Sequence, residues 1–166
     1  MSYQIIQYMS EAITLTEEQK RLIERIGVFH EKGGMSPASG RVMALLTVSP
    51  IVELSFDQIR ETLCLSKSAT SNALNMLMNV EKVDYITHSG DRKRYFKSKI
   101  SSWRQTMKET FKHFTKGADL LQEILDQRPE DTKEFNKNLG EVISFLRYMN
   151  EEIPVLFKKW DEQHKE

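Results

Sequence analysis

The chain has 166 residues, with 24 Lys+Arg balanced against 24 Asp+Glu and a single cysteine. That length suits one domain, or a small domain with a helical extension, and it can bury a core without disulfide staples. Zero net charge excludes a uniformly basic chain, and no apolar run approaches the length of a membrane span.

The residues Met1-Ser2-Tyr3-Gln4-Ile5-Ile6-Gln7 carry no basic-then-apolar secretory pattern. Together with the lone Cys64 this leads to the expectation of a cytoplasmic protein. Thr16-Glu17-Glu18-Gln19 is a capping-box start, and Leu22, Ile23, Ile26, Val28 and Phe29 follow at near-helical spacing until Gly33-Gly34. Ser36-Pro37 opens a second helix with Val42, Met43, Leu45 and Leu46 on its apolar face, ending at Ser49-Pro50. A second capping box, Ser55-Phe56-Asp57-Gln58, predicts a helix through Ile59, Leu63 and Cys64, with Cys64 as a small buried residue. Ser66 caps another helix that runs to about Asn79.

The period then changes. Val83 to Thr87 and Arg94 to Lys97 are rich in β-branched and aromatic residues and flank the polar turn His88-Ser89-Gly90-Asp91-Arg92-Lys93. Three helices followed by such a hairpin is the order of a winged helix-turn-helix domain. Two long helices follow. Ile100, Met107, Phe114 and Leu121 recur every seven residues, and Phe135, Leu139, Val142, Leu146, Met149, Ile153, Leu156 and Trp160 alternate in steps of four and three. Arg128-Pro129-Glu130-Asp131 separates the two, and Pro154 is expected to kink the second helix or begin a new segment.

The expected fold is therefore mainly α with a small β-hairpin wing. Residues 1–33 supply a helix that contributes to dimerisation, residues 34–99 the winged helix-turn-helix core, and residues 100–166 a helical dimerisation region. The long helices show more apolar surface than so small a core can cover, which a two-fold homodimer would bury.

The helix after Ser66 presents Lys67, Ser68, Thr70, Ser71, Asn72 and Asn75 away from Ala69, Ala73, Leu74 and Leu77. Short hydroxyl and amide groups on one helix face can donate to phosphates and base edges while the backbone enters a major groove. A solvated face near a cap reads the same way locally. The wing tip adds Arg92, Lys93 and Arg94, with Arg92 suited to a narrow minor groove and Asp91 expected to orient it. Charge is partitioned accordingly. Residues 66–99 hold seven basic against three acidic groups, whereas residues 100–166 hold 11 against 13.

The runs Gly34-Met35-Ser36-Pro37-Ala38-Ser39-Gly40-Arg41-Val42, Leu65-Ser66-Lys67-Ser68 and Gly90-Asp91-Arg92-Lys93-Arg94-Tyr95 resemble the GbsR-type branch of the MarR transcriptional regulators. The resemblance implies a homodimeric regulator on a pseudo-palindromic operator, a repressor in the first instance. It maps Ser66, Lys67, Ser68, Thr70, Ser71 and Asn72 to the recognition helix and Arg92 to the wing. Where that family usually has glycine before the first wing strand, this chain has Glu81-Lys82. A turn that avoids the left-handed conformation is therefore expected there.

Some regulators of that branch respond to quaternary ammonium compounds. Trp103, Tyr148 and Trp160 are the candidates for an aromatic cage holding such an effector, although aromatics at helical spacing also read as packing. The four histidines lack metal-site spacing, and no phosphate-binding loop, dinucleotide fingerprint or nucleophile elbow occurs. No metal, cofactor or enzymatic activity is expected. A winged-helix protein–protein adapter without a DNA role is the alternative reading.

Overall fold

The computed structural model describes residues 11–164, so the N-terminal run Met1 to Gln7 lies outside the described residues. The chain divides into two compact units, Met1–Ser102 and Trp103–Glu166. Among the described residues no helix is long and apolar enough to cross a membrane.

In the first unit α1 (Glu17–Lys32) starts where the capping box predicts, with Thr16 and Gln19 satisfying each other's backbone N–H. Ser36 caps α2 (Pro37–Val48), and Ser55 with Gln58 forms the box that opens α3 (Phe56–Thr62). Ser66 caps α4 (Lys67–Asn79), its hydroxyl accepting from the Ala69 N–H at 3.1 Å. These side chains satisfy backbone donors that a helix start leaves unpaired, each contributing about 1 kcal/mol.

The wing contains one strand more than the sequence predicts. Leu54–Ser55, here β1, pairs antiparallel with β3 (Arg94–Ser98), which pairs antiparallel with β2 (Val83–Thr87), giving the order β1-β3-β2. Leu54 lies opposite Phe96, and Tyr85 opposes Phe96 from the other side. A strand of two residues has no periodicity to read, which is why the sequence conceals it.

Val42, Leu45, Leu54, Ile59, Leu74 and Leu77 are fully buried and hold the three helices and the wing together. Each such side chain contributes about 1.5–3 kcal/mol by leaving water. Helix α1 packs on α2 at close range: a Cβ on Gly40 would stand 2.8 Å from the Gly27 carbonyl oxygen. Arg41 fastens the pair through Glu24 at 3.0 Å and Glu31 at 2.7 Å.

Three helices of this unit end in the same geometry. After α1, Gly34 takes φ +92°, with the Met35 N–H bonded to His30 O and the Gly34 N–H to Glu31 O. After α3, Cys64 takes φ +51°, with Leu65 N–H on Arg60 O and Cys64 N–H on Glu61 O. After α4, Glu81 takes φ +55°, with Lys82 N–H on Leu77 O and Glu81 N–H on Met78 O. Each is a Schellman cap, which needs one left-handed residue to return the chain onto orphan carbonyls. Two expectations are corrected here. Helix α3 stops at Thr62, so Cys64 is an exposed turn residue rather than a buried one. The turn at Glu81 does adopt the left-handed conformation, because the cap's two hydrogen bonds outweigh the cost of a side chain there.

The second unit is a helical hairpin of α5 (Trp103–Asp126) and α6 (Lys133–Gln163). Arg128 fastens the connection, donating to Asn136 Oδ1 at 2.8 Å and lying over the Phe135 ring. The buried residues are Thr115 and Ala118 on α5 and Ile143 and Leu146 on α6, with Phe111, Leu125, Leu139 and Ile153 half-buried beside them. That seam only partly coincides with the sevenfold pattern in the sequence. Met107, Phe114, Phe135, Val142, Leu156 and Trp160 stay exposed, Leu156 at 67%. Helix α6 runs unbroken through Pro154, so no new segment begins there.

Candidate nucleic-acid interface

The structure sorts the residues singled out on α4 into two groups. Lys67, Ser68, Ser71, Asn72 and Asn75 are exposed and form one polar face. Among the described residues Lys67, Ser71, Asn72 and Asn75 make no hydrogen bond or ion pair, so their donors and acceptors are available. Ser66 spends its hydroxyl on the helix cap and shares it with Ser68 at 3.1 Å.

Thr70 does not belong to that face. It is fully buried, and its hydroxyl donates to Ser66 O at 3.0 Å. Its expected contact with DNA is corrected: three residues past Lys67, its side chain turns towards Ala73, Leu74 and Leu77 in the core.

At the wing tip Gly90 takes φ +84° and the Asp91 N–H closes a turn on His88 O at 3.0 Å. The Asp91 carboxylate does not orient Arg92. It accepts from the Tyr95 hydroxyl at 2.7 Å and from the Lys93 N–H at 2.8 Å. The Tyr95 bond first, and then the Lys93 N–H, hold the Asp91 carboxyl below its ordinary range; the same bond to Asp91 raises the Tyr95 phenol.

The three basic tip residues have three different settings. Arg92 is exposed and has no ion pair among the described residues. Lys93 donates to Glu11 Oε1 at 2.7 Å, and that bond raises the pKa of its ammonium. Arg94 lies over the Tyr85 ring, 4.7 Å from its centroid.

Sequence reasoning missed the groups that stiffen this wing. Besides Glu11, they are Glu53, whose carboxylate lies 3.2 Å from His88 Nε2, and Tyr95, whose ring packs edge-on against His88. Glu11 also reaches the Ser55 hydroxyl, and Ile13 N–H donates to Thr62 Oγ1 at 2.9 Å, so residues 11–13 run along α3. Charge pairing across so many residues leaves no local signal.

The candidate cage residues remain apart in their surroundings. Trp103 lies under Arg104, Trp160 stacks on His164 at 3.7 Å, and Tyr148 is exposed; no ring contact joins the three. Among the described residues no cluster of His, Cys, Asp and Glu could hold a metal ion.

A crystal structure of a transcriptional regulator superposes on the chain with a TM-score of 0.70 at 18% identity, covering 87% of this chain and 99% of that one. The shared fold is a winged helix with a long helical hairpin. Residues 101–163, the hairpin unit and not the wing, match the family described as MmpR5-like MarR family transcriptional regulator. A mutant of S. aureus MepR bound to an oligodeoxyribonucleotide aligns at a TM-score of 0.41 and 17% identity over 78% of this chain and 90% of that one. Among the curated proteins no match is found.

Proposed function

We propose that this chain is a sequence-specific DNA-binding transcriptional repressor of the cytoplasm that acts as a homodimer on a pseudo-palindromic operator. The observation that carries the reading is the exposed face of α4. Lys67, Ser71, Asn72 and Asn75 stand on a capped helix with their polar groups unspent, in the same unit as the unpaired Arg92. Groups of that kind read base edges and phosphates, and an arginine on a wing suits the minor groove. The resemblance of the three sequence runs to the GbsR branch supports the same role.

The exposed apolar residues of the hairpin support dimerisation. Phe114, Val142, Phe145 and Leu156 are exposed within the described chain, and a two-fold partner would bury them. Paired recognition helices about 34–36 Å apart would then meet successive major grooves. The N-terminal helix α1, packed on α2, is proposed to contribute to the same interface.

Binding to promoter fragments over a range of salt tests the reading. A regulator loses affinity steeply as counterions are released, and Arg92→Ala weakens it at every sequence. A flat salt response with no effect of Arg92 would support the protein–protein adapter instead. Sedimentation of the chain should give a dimer, and Leu156→Glu should give a monomer.

A further inference from the structure

Helix α4 has its buried and its exposed sides diametrically opposed. Thr70, Ala73, Leu74 and Leu77 are buried. Directly opposite them on the helix circumference are Ser68, Asn72, Asn75 and Asn79, which fall within about 60° of one another at 100° per residue. All four are exposed. Among the described residues none of the three asparagine amides has a hydrogen-bond partner. A line of amides therefore points straight away from the core.

The residue types on that line select among the bases. In the major groove an arginine or lysine pairs with guanine O6 and N7, and a carboxylate accepts from cytosine N4. An asparagine amide suits adenine, donating to N7 and accepting from the N6 amino group. Helix α4 contains no arginine and no carboxylate. Its one cation, Lys67, opens the helix and lies about 110° round from the middle of the asparagine line, a place that suits a phosphate. Asn72 and Asn75 stand about 4.5 Å apart along the axis, against about 3.4 Å per base step, so neighbouring base pairs come within their reach. Asn79 is in the last turn, whereas base contacts in a helix-turn-helix come from the N-terminal part of the recognition helix.

The wing points to the same composition independently. Arg92 is exposed and has no ion pair among the described residues. A free arginine is drawn to the narrow, strongly negative minor groove that runs of A·T pairs provide.

We infer that Asn72 and Asn75 are specificity-determining residues that read adenines in two neighbouring base pairs of each half-site, and that the bases beneath Arg92 are A·T pairs. The inference rests on the DNA-binding reading and deepens it by naming the bases. Ser68 and Ser71 can pair in either hydrogen-bonding sense, so they add contacts without choosing a base.

Selection of duplexes from a random pool by the full-length chain is the first test, and the selected half-site carries the two adenines. Each is then replaced by 7-deazaadenine, which lacks the N7 acceptor but still pairs with thymine. Affinity of the unaltered chain falls about tenfold at either position. Asn72→Ala and Asn75→Ala each make the chain indifferent to one of the two replacements, and Asn75→Arg moves the preference at its position from adenine to guanine. Asn79→Ala leaves both preferences in place. The modified duplexes need no variant, so the test survives a variant that fails to fold. G·C pairs at the selected positions, or full affinity for both modified duplexes, overturns the inference and leaves DNA binding standing. So does a 7-deazaadenine effect that persists undiminished in both alanine variants, because another side chain then reads N7. A pool from which no duplex is selected overturns the DNA-binding reading, and this inference with it.

Discussion

Lys93 at the wing tip donates to the Glu11 carboxylate across 2.7 Å, joining two residues 82 positions apart. In the proposed DNA complex a phosphate would compete with Glu11 for that ammonium group. Glu11→Gln leaves Lys93 free, so DNA affinity should rise by roughly threefold to tenfold at low salt, and the slope of log affinity against log salt should steepen by about 0.9. Fluorescence anisotropy on a labelled operator measures both. An unchanged slope would mean that Lys93 stays on the protein in the complex.

The wing tip also carries an acid-sensitive contact. Asp91 is held below its ordinary pKa, chiefly by the Tyr95 hydroxyl and then by the Lys93 N–H. A carboxyl depressed in the folded state stabilises above its unfolded pKa, and the gain is lost as pH falls through the lower folded value. The tip should thus be ordered at neutral pH and loosen only below about pH 4. Tyr95→Phe removes the largest cause, so Asp91 should titrate at higher pH and the loosening should begin earlier. The carboxyl carbon shift of Asp91, followed by NMR with the Lys93 amide, reports this, and coincident titration curves in the two proteins would refute it.

Two of the three Schellman caps hold a residue that the conformation disfavours, Cys64 at φ +51° and Glu81 at φ +55°. A left-handed residue with a Cβ costs about 1–2 kcal/mol, part of which glycine returns as unfolded-chain entropy. Cys64→Gly and Glu81→Gly should each stabilise the protein by about 0.5–1 kcal/mol. The Glu81 ion pair with Lys99 is long, at 3.7 Å, and exposed, so its loss offsets little. Urea melts decide the point: a lower midpoint in either variant would show that the side chain contributes more than the backbone loses.

These caps show what was legible in the sequence and what was not. The helix starts were, because Thr16, Ser36, Ser55 and Ser66 act on donors within three residues of themselves. The helix ends were not, because a Schellman cap is defined by backbone hydrogen bonds and glycine is only its commonest marker. The polar face of α4 is readable from composition, yet Thr70 reads as part of it although it is buried, because its short amphipathic side chain suits either side. The heptad spacing of the long helices was visible as a pattern, but not its partner. Within the hairpin the packing runs along Thr115, Ala118, Ile143 and Leu146, and much of the visible heptad faces outwards. Charge pairs such as Lys93 with Glu11 needed the tertiary structure itself.

Thr70 and Asn72 lie two residues apart on α4 and should behave oppositely. Thr70 is fully buried with its hydroxyl on Ser66 O, so Thr70→Val keeps the volume and leaves one buried bond unmade, at a cost of about 1 kcal/mol. It touches no solvent, so operator affinity should change little under conditions where the variant is folded. Asn72 is exposed and unpaired, and Asn72→Ala should leave stability within about 0.5 kcal/mol. If its amide reads a base edge, that substitution lowers operator affinity by about tenfold and relaxes preference at one base pair. Thermal melts and binding to a panel of single-base operator variants separate the two. A stable Asn72→Ala that binds every operator as the parent does would remove Asn72 from the reading face, and a Thr70→Val that is stable but blind to DNA would return Thr70 to it.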